Sequence, residues 1–333
     1  MMNTKLATLS LAIGLASTFS AQALNIVLTN DDSWATENIQ VLHEKLQSAG
    51  HDVIMAAPCT GQSGKGGAVH FFEAVNVDRS KLADNQVCVG DTDESVAYDQ
   101  FVEGTPTMAA LYGIDVYAQE KWGKAPDVVI SGPNEGNNLG YLTNNSGTLG
   151  AANVSIAKGI PAIAVSAADG DATKAPYVAE IVVQLLAELV AKQKEGAPLL
   201  PRYTGLNVNT PADPQNHLGF KHTQVGWNPG NGGLVLKFEG DMADNVMAME
   251  LVAEEIMANV PGMTKEEALA MAKDMYRDKG GVVIDLDQNY PDQAENSEGV
   301  AVSKGYVTIS TIEANVQATT AKSEWTRYQL RDL

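Results

Sequence analysis

Asp31 and Asp32 stand side by side directly after the short apolar run Ile26-Val27-Leu28. Adjacent carboxylates repel each other unless a cation or hydrogen-bond donors lie between them. One acid of the pair could cap the N-terminus of a following helix; the pair together could hold a divalent cation or serve a phosphate site. Further oxygen-bearing side chains sit in comparable places. Ser63 lies in the glycine-rich loop 59–67, and Asn134 in a glycine- and asparagine-rich loop, 132–140. Ser146-Gly147-Thr148 reads as a helix start, whose free backbone N–H groups and positive dipole end suit a phosphate. The five histidines show no zinc-ligand spacing. A metal held here would therefore take oxygen ligands, which favours magnesium, manganese or calcium. Loop 59–67 superficially resembles a phosphate-binding P-loop, but Cys59 and Gly66 stand where that motif needs Gly and Ser or Thr.

The elements that would position these residues alternate regularly. Residues 24–28, 52–57, 126–131 and 160–166 are short apolar runs of the kind buried on both faces of a parallel sheet. Between them, Ile39, Leu42 and Leu46 follow helical spacing up to Gly50, and Thr105-Pro106 opens a helix running to about Tyr117. Val178 to Leu189 form a strongly amphipathic helix. This is an α/β pattern with a mostly parallel sheet covered on both faces, a Rossmann-like three-layer sandwich. Asp31, Asp32, Ser63 and Asn134 all follow strand C-termini, the edge where open α/β sheets bind ligands. Later, 244–258 and 264–278 read as helices, the second with Thr264 and Glu267 in capping-box spacing. Residues 300–312 alternate like a strand.

Composition narrows the partners. With 22 Lys and Arg against 41 Asp and Glu, the net charge is −19. Such a surface excludes a nucleic-acid polymer or an anionic membrane as an obvious partner. Lys5, the apolar stretch 6–19 and Ala21-Gln22-Ala23 read as a signal peptide cleaved after Ala23, implying a periplasmic or secreted protein. Residues 24–333 are then enough for one large domain or two small ones, with no convincing interdomain linker between them. In an oxidising compartment the two cysteines, Cys59 and Cys88, are expected to pair.

The motifs together resemble the SurE family of metal-dependent 5'/3'-nucleotidases, or stationary-phase acid phosphatases. The resemblance rests on Asn30-Asp31-Asp32, on Gln62-Ser63-Gly64, and on Ser131-Gly132-x-Asn134-x-Gly136-x-Asn138-Leu139-Gly140 followed by Ser146-Gly147-Thr148. Asn207-Val208-Asn209 and Gly305-Tyr306-Val307 are similar to later family segments. It implies one divalent cation (magnesium or manganese) on Asp31, Asp32, Ser63 and Asn134. It also implies substrate phosphate near Asn138, Ser146, Gly147 and Thr148, Asp32 as the residue that orients or deprotonates the attacking water, a C-terminal extension with a β-hairpin, and a homodimer. Two residues depart from the family pattern: Ser33 where Gly is usual, and Met108 where many relatives carry Asp. The activity implied is hydrolysis of nucleoside 5'- and 3'-monophosphates. The rival readings are a periplasmic solute-binding protein, which length, charge and α/β pattern also suit, and a SurE-like protein without activity.

Overall fold

A computed structural model describes residues 23–92, 96, 100–230, 235–285 and 292–332. The segment read as a signal peptide therefore lies outside the described residues, apart from Ala23. Strands β1 (Asn25–Thr29), β2 (Asp52–Pro58), β3 (Val77–Asp78), β4 (Gln86–Val89), β5 (Val128–Glu135), β6 (Ala162–Ala167), β7 (Thr204–Asn209), β8 (Phe220–Thr223) and β11 (Val307–Glu313) form one sheet. Their order is β3-β4-β2-β1-β5-β6-β7-β11-β8. The pairs from β4 to β7 are parallel, while β3 and β11 run antiparallel to β4 and β7.

Helices α1 (Glu37–Ser48) and α5 (Ala175–Lys192) cover one face. Helices α2 (Pro106–Tyr112), α3 (Ala118–Trp122) and α4 (Gly147–Ala157) lie on the other. Strand side chains alternate between the two cores: Ile26 and Leu28 pack toward α1 and α5, Val27 toward the opposite face. Burial on both faces is what made these strands read as continuous apolar runs. The chain steps from β1 to β2 on one side and returns to β5 on the other, so the sheet's switch point lies between the C-terminal ends of β1 and β5.

Three readings need refinement. The helix opened by Pro106 does not end at Tyr117; it widens into a π-turn over Gly113–Tyr117 and continues to Trp122. A Cβ on Gly113 would lie 2.7 Å from Val27 Cγ1, so the helix depends on glycine here to approach the sheet. The stretch 300–312 is not one strand: its start belongs to α8 (Glu298–Ser303), which ends before Gly305 at φ 96°, and only Val307–Glu313 pairs into the sheet. Strands β9 (Val235–Glu239) and β10 (Gly281–Asp285) do pair antiparallel, but they bracket α6 (Val246–Asn259) and α7 (Lys265–Tyr276) instead of a tight turn. Small buried residues, Ala253, Ala268 and Ala272, let those two helices pack together while their acids face solvent. A last helix, α9 (Thr320–Gln329), buries none of its side chains.

Cys59, just past β2, is disulfide-bonded to Cys88 on β4, with a Cα–Cα distance of 4.9 Å. The bond closes a loop of sequence separation 29, which in the chain-entropy account stabilises by about 3.5 kcal/mol. A Cys59→Ala/Cys88→Ala double variant should lose that amount in urea unfolding, read as a lower midpoint at unchanged slope.

Candidate active site

Neither acid of the opening pair caps α1, whose N-cap is Thr36. Asp31 instead sits 3% exposed against the start of α4. Its Oδ1 accepts a hydrogen bond from Thr148 Oγ1 at 2.6 Å, and the backbone N–H groups of Gly147 and Thr148 also donate to it. Gly147 is required for this approach: a Cβ there would lie 2.7 Å from Asp31 Cβ and 2.9 Å from Asp31 Oδ2. Burial pushes the Asp31 carboxyl above its ordinary range, with the hydrogen bonds opposing. Asp32 Oδ2 accepts from the Glu135 backbone N–H at 2.8 Å, which ties the end of β1 to the end of β5. Its burial, and next the charge of Asp31, push the Asp32 carboxyl up to about 7.

Backbone contacts bring the remaining predicted residues to this pair. Gln62 N–H donates to Asp31 O at 2.6 Å, and Trp34 N–H to Pro58 O at 2.9 Å, so the exposed Ser63 follows directly on the acidic turn. Ser33 reinforces the junction. Its φ of 107° is one that glycine adopts more readily, and its hydroxyl donates to Cys59 O at 2.9 Å. That bond, to the disulfide-anchored root of the serine loop, offsets the backbone strain. On the other side, β5 carries an irregularity in its pairing with β6 between Ser131 and Asn134. Gly132 makes it possible, since a Cβ there would lie 2.1 Å from Val165 O. Beyond it Asn134 is half-buried, its Nδ2 donating to Gly136 O.

The residues expected on the phosphate are largely spent on one another. Asn138 N–H donates to Asn209 Oδ1 at 2.9 Å, and its Nδ2 donates to Ser166 Oγ at 2.9 Å and Thr148 Oγ1 at 3.2 Å. Its carbonyl accepts from Asn207 Nδ2 and Asn209 Nδ2 at 3.0 and 3.1 Å. Ser146 Oγ accepts the Leu149 N–H as the α4 cap. Half-buried Asn138 and buried Thr148 thus form a relay that sets the position of Asp31, as polar groups withdrawn from water must find partners.

Sequence reasoning gave Asn207 and Asn209 no role, although two polar residues two apart on a buried strand share one face. Nor did it find Ser166 and Glu298. Glu298 is fully buried on α8; its carboxylate accepts from Asn207 Nδ2 (3.0 and 3.1 Å), Ser310 Oγ (2.8 Å) and Gly140 N–H (3.2 Å).

The donor set fits a hard divalent cation. Two desolvated carboxylates that raise each other's energy when both ionised, beside neutral Ser and Asn oxygens, match oxygen-ligand chemistry. Among the described residues no three His, Cys, Asp or Glu gather as a metal cluster, so the set relies on those neutral oxygens.

A family model described as Survival protein SurE matches residues 26–231, from β1 past every site residue except Glu298. The chain belongs to the SurE family. A 5'-nucleotidase SurE from Thermosipho melanesiensis is 31% identical over 274 residues, 77% of this chain and 99% of that one. An acid phosphatase from Yarrowia lipolytica is 36% identical over 204 residues, so the match spans 56% of each chain. The crystal structure of the SurE protein from Aquifex aeolicus shares the fold, with a TM-score of 0.63 at 24% identity over 92% of this chain and 99% of that one. The shared SurE fold is the mostly parallel sheet flanked by helices that sets the acidic turn at the switch point.

Proposed function

We propose that this SurE-family chain is an exported, divalent-metal-dependent phosphomonoesterase that hydrolyses nucleoside 5'- and 3'-monophosphates to nucleoside and phosphate. The observation that carries this reading is the acid pair at the β1–β5 switch point, seated on the N-terminus of α4. The activities named for the Yarrowia and Thermosipho relatives support the reaction class.

Asp31, Asp32, Ser63 and Asn134 would hold one magnesium or manganese ion. A hard divalent cation supplies Lewis-acid polarisation of a phosphoryl oxygen and of water. The chain's own residues do the rest. Thr148 and Gly147 hold Asp31 in one orientation, and the Glu135 N–H takes one oxygen of Asp32. The other oxygen of Asp32 is left to orient the attacking water and accept its proton. The positive end of α4, at Ser146-Gly147-Thr148, stabilises the phosphate charge, with Asn138 fixing that helix end. No covalent enzyme intermediate enters this scheme.

Export is supported by the residue pattern of 1–23 and by the Cys59–Cys88 disulfide. Homodimerisation is supported by exposed apolar side chains on the later elements, among them Phe238, Val282, Trp325 and Tyr328. Among the described residues no helix is long and apolar enough to cross a membrane, and the acidic surface gives a nucleic-acid polymer no footing.

The test uses the chain from Leu24, stripped with a chelator and assayed for phosphate release from nucleoside 5'- and 3'-monophosphates. Release should be absent after stripping and return when magnesium or manganese is added back separately. No release with either metal, in protein shown to be folded, would overturn the reading and favour a solute-binding or inactive role.

A further inference from the structure

Ser63 has little of its own to hold it beside the acid pair. It is exposed, and of residues 60–65 only Gln62 is buried. Gly64 takes a φ of 78° and Gly66 one of 54°, and a Cβ on Gly64 or Gly67 would meet nothing within 4 Å. Glycine loses more conformational freedom on ordering than any other residue. A cation that had to recruit Ser63 from a loose loop would lose that ordering cost from its affinity.

The loop is fixed instead at its root. Cys59 is bonded through sulfur to Cys88, which is fully buried on β4, and its N–H donates to Val89 O at 2.9 Å. Strands β2 and β4 already pair up to Pro58 and Val89, so the disulfide adds no strand contact. It immobilises the residue at which the pairing stops and the serine loop begins. Ser33 fastens that same residue to the acidic turn, its Oγ donating to Cys59 O at 2.9 Å. The Ser33 carbonyl in turn accepts from Asn30 Nδ2 at 2.8 Å and from Thr36 Oγ1 at 3.2 Å. Ser33 is thereby held between the turn that carries both acids and the root of the loop. Three residues past that root, Gln62 N–H makes a second bond to the turn, to Asp31 O at 2.6 Å.

We propose that the Cys59–Cys88 disulfide and Ser33 act as one clamp on the root of the serine loop, presetting Ser63 to complete the oxygen shell of the cation. The proposal rests on the metal reading of Asp31, Asp32, Ser63 and Asn134 above. Cys59, Cys88 and Ser33 are positioning residues, acting on Ser63 through the backbone of 59–62. Groups that orient the ligands of a metal from behind are worth about 10–100-fold in its affinity. The two halves of the clamp depend on each other. Without the disulfide the Ser33 hydroxyl holds a loose residue; without the hydroxyl the disulfide ties the loop to β4 but not to the acidic turn. The hydroxyl also accounts for a side chain at φ 107°, a conformation that glycine adopts without strain.

The test measures manganese binding by calorimetry in chelator-stripped protein, and amide hydrogen exchange before metal is added. Ser33→Ala and the Cys59→Ala/Cys88→Ala double variant should each weaken manganese binding about tenfold. The triple variant should bind no more than about threefold more weakly still, because groups that act as a unit are not additive. In metal-free protein the Gln62 N–H should exchange about tenfold faster in both variants. The Gly147 N–H, which reaches Asp31 from α4, should stay as protected as in the parent. Ser33→Ala keeps the disulfide, so it decides the matter even where the double variant does not fold. Manganese affinity and Gln62 exchange unmoved in these variants would overturn the clamp and leave the disulfide a brace for the fold alone. Fully additive losses in the triple variant would overturn the action of disulfide and hydroxyl as one unit. A parent chain that binds no manganese would overturn the metal reading, and this role with it.

Discussion

Replacing Asp31 by Asn is expected to abolish metal-dependent phosphate release while leaving the fold as stable as before, or more so. Asn keeps the size of Asp, and its carbonyl oxygen can still accept the Thr148 hydroxyl, now 2.6 Å from Asp31 Oδ1. What it removes is one of two negative charges that burial has already made costly, and whose repulsion raises Asp32 further. The metal-free variant should therefore melt no lower than the parent. Partners one shell beyond a metal typically matter by about 10–100-fold, so loss of a ligand charge should exceed about 100-fold in kcat/KM. Thr148→Val provides the graded comparison: it leaves both carboxylates and removes only the hydroxyl that orients one of them, and should cost about 10–100-fold. Manganese binding measured by calorimetry separates the two effects, since Asp31→Asn should abolish it and Thr148→Val only weaken it. Unchanged activity in Asp31→Asn would remove Asp31 from the site.

How far the site could be read in the sequence follows from which contacts are local. The acidic pair, Ser63 and Asn134 each follow a strand whose apolar run marks its own end, so the sheet edge collects them without further information. The start of α4 was equally plain, because Ser146 is both a helix cap and part of a small-residue run that allows close packing. The role of that helix end was less legible. Thr148 and the Gly147 N–H turn toward Asp31 only because Gly147 lets α4 reach within contact of the acidic turn, across a sequence separation of 117. Gly113 offers the same lesson: the π-turn arises from contact with Val27 and Ala56, which nothing in residues 106–122 announces. Likewise residues 300–303 carry an alternating pattern that suits a strand, yet they coil into α8, which seats Glu298 against β7 and β11. Tertiary packing overrode the local pattern in each case, and the overrides fall where the site is held.

Glu298 should make the protein less stable as the pH rises from about 4.5 to about 8. Its hydrogen-bond partners, Asn207, Ser310 and the Gly140 N–H, are all neutral; they favour the carboxylate, but burial outweighs them. Burial therefore pushes its carboxyl from 4.5 up to about 8. The native state keeps the proton through this window while the unfolded chain has released it, so stability falls as pH rises. The contribution is fully present below about pH 4.5 and is lost as the pH passes about 8. At about 1.4 kcal/mol for each pH unit over which only the native state is protonated, the effect is on the order of 5 kcal/mol. The neutral form also fits its surroundings: the proton can lie between Glu298 Oε2 and Ser310 Oγ, and the Ser310 hydroxyl can pass its own to Thr223 Oγ1, 2.8 Å away. Glu298→Gln mimics that neutral form and should flatten the dependence of urea-unfolding free energy on pH between 5 and 8, in metal-free protein. Asp31 and Asp32 shift in the same direction, so some slope will remain in the variant; the difference between the two curves isolates Glu298. Glu298→Ala leaves the Asn207 amide, the Ser310 hydroxyl and the Gly140 N–H without their acceptor and opens a void. It should lose about 3–5 kcal/mol at pH 5. Because Asn207 Nδ2 also donates to the Asn138 carbonyl, that variant should lose activity as well, whereas Glu298→Gln should keep it. A parallel pair of curves for wild type and Glu298→Gln would show that Glu298 is ionised in the folded protein and that the buried network works as a charged one.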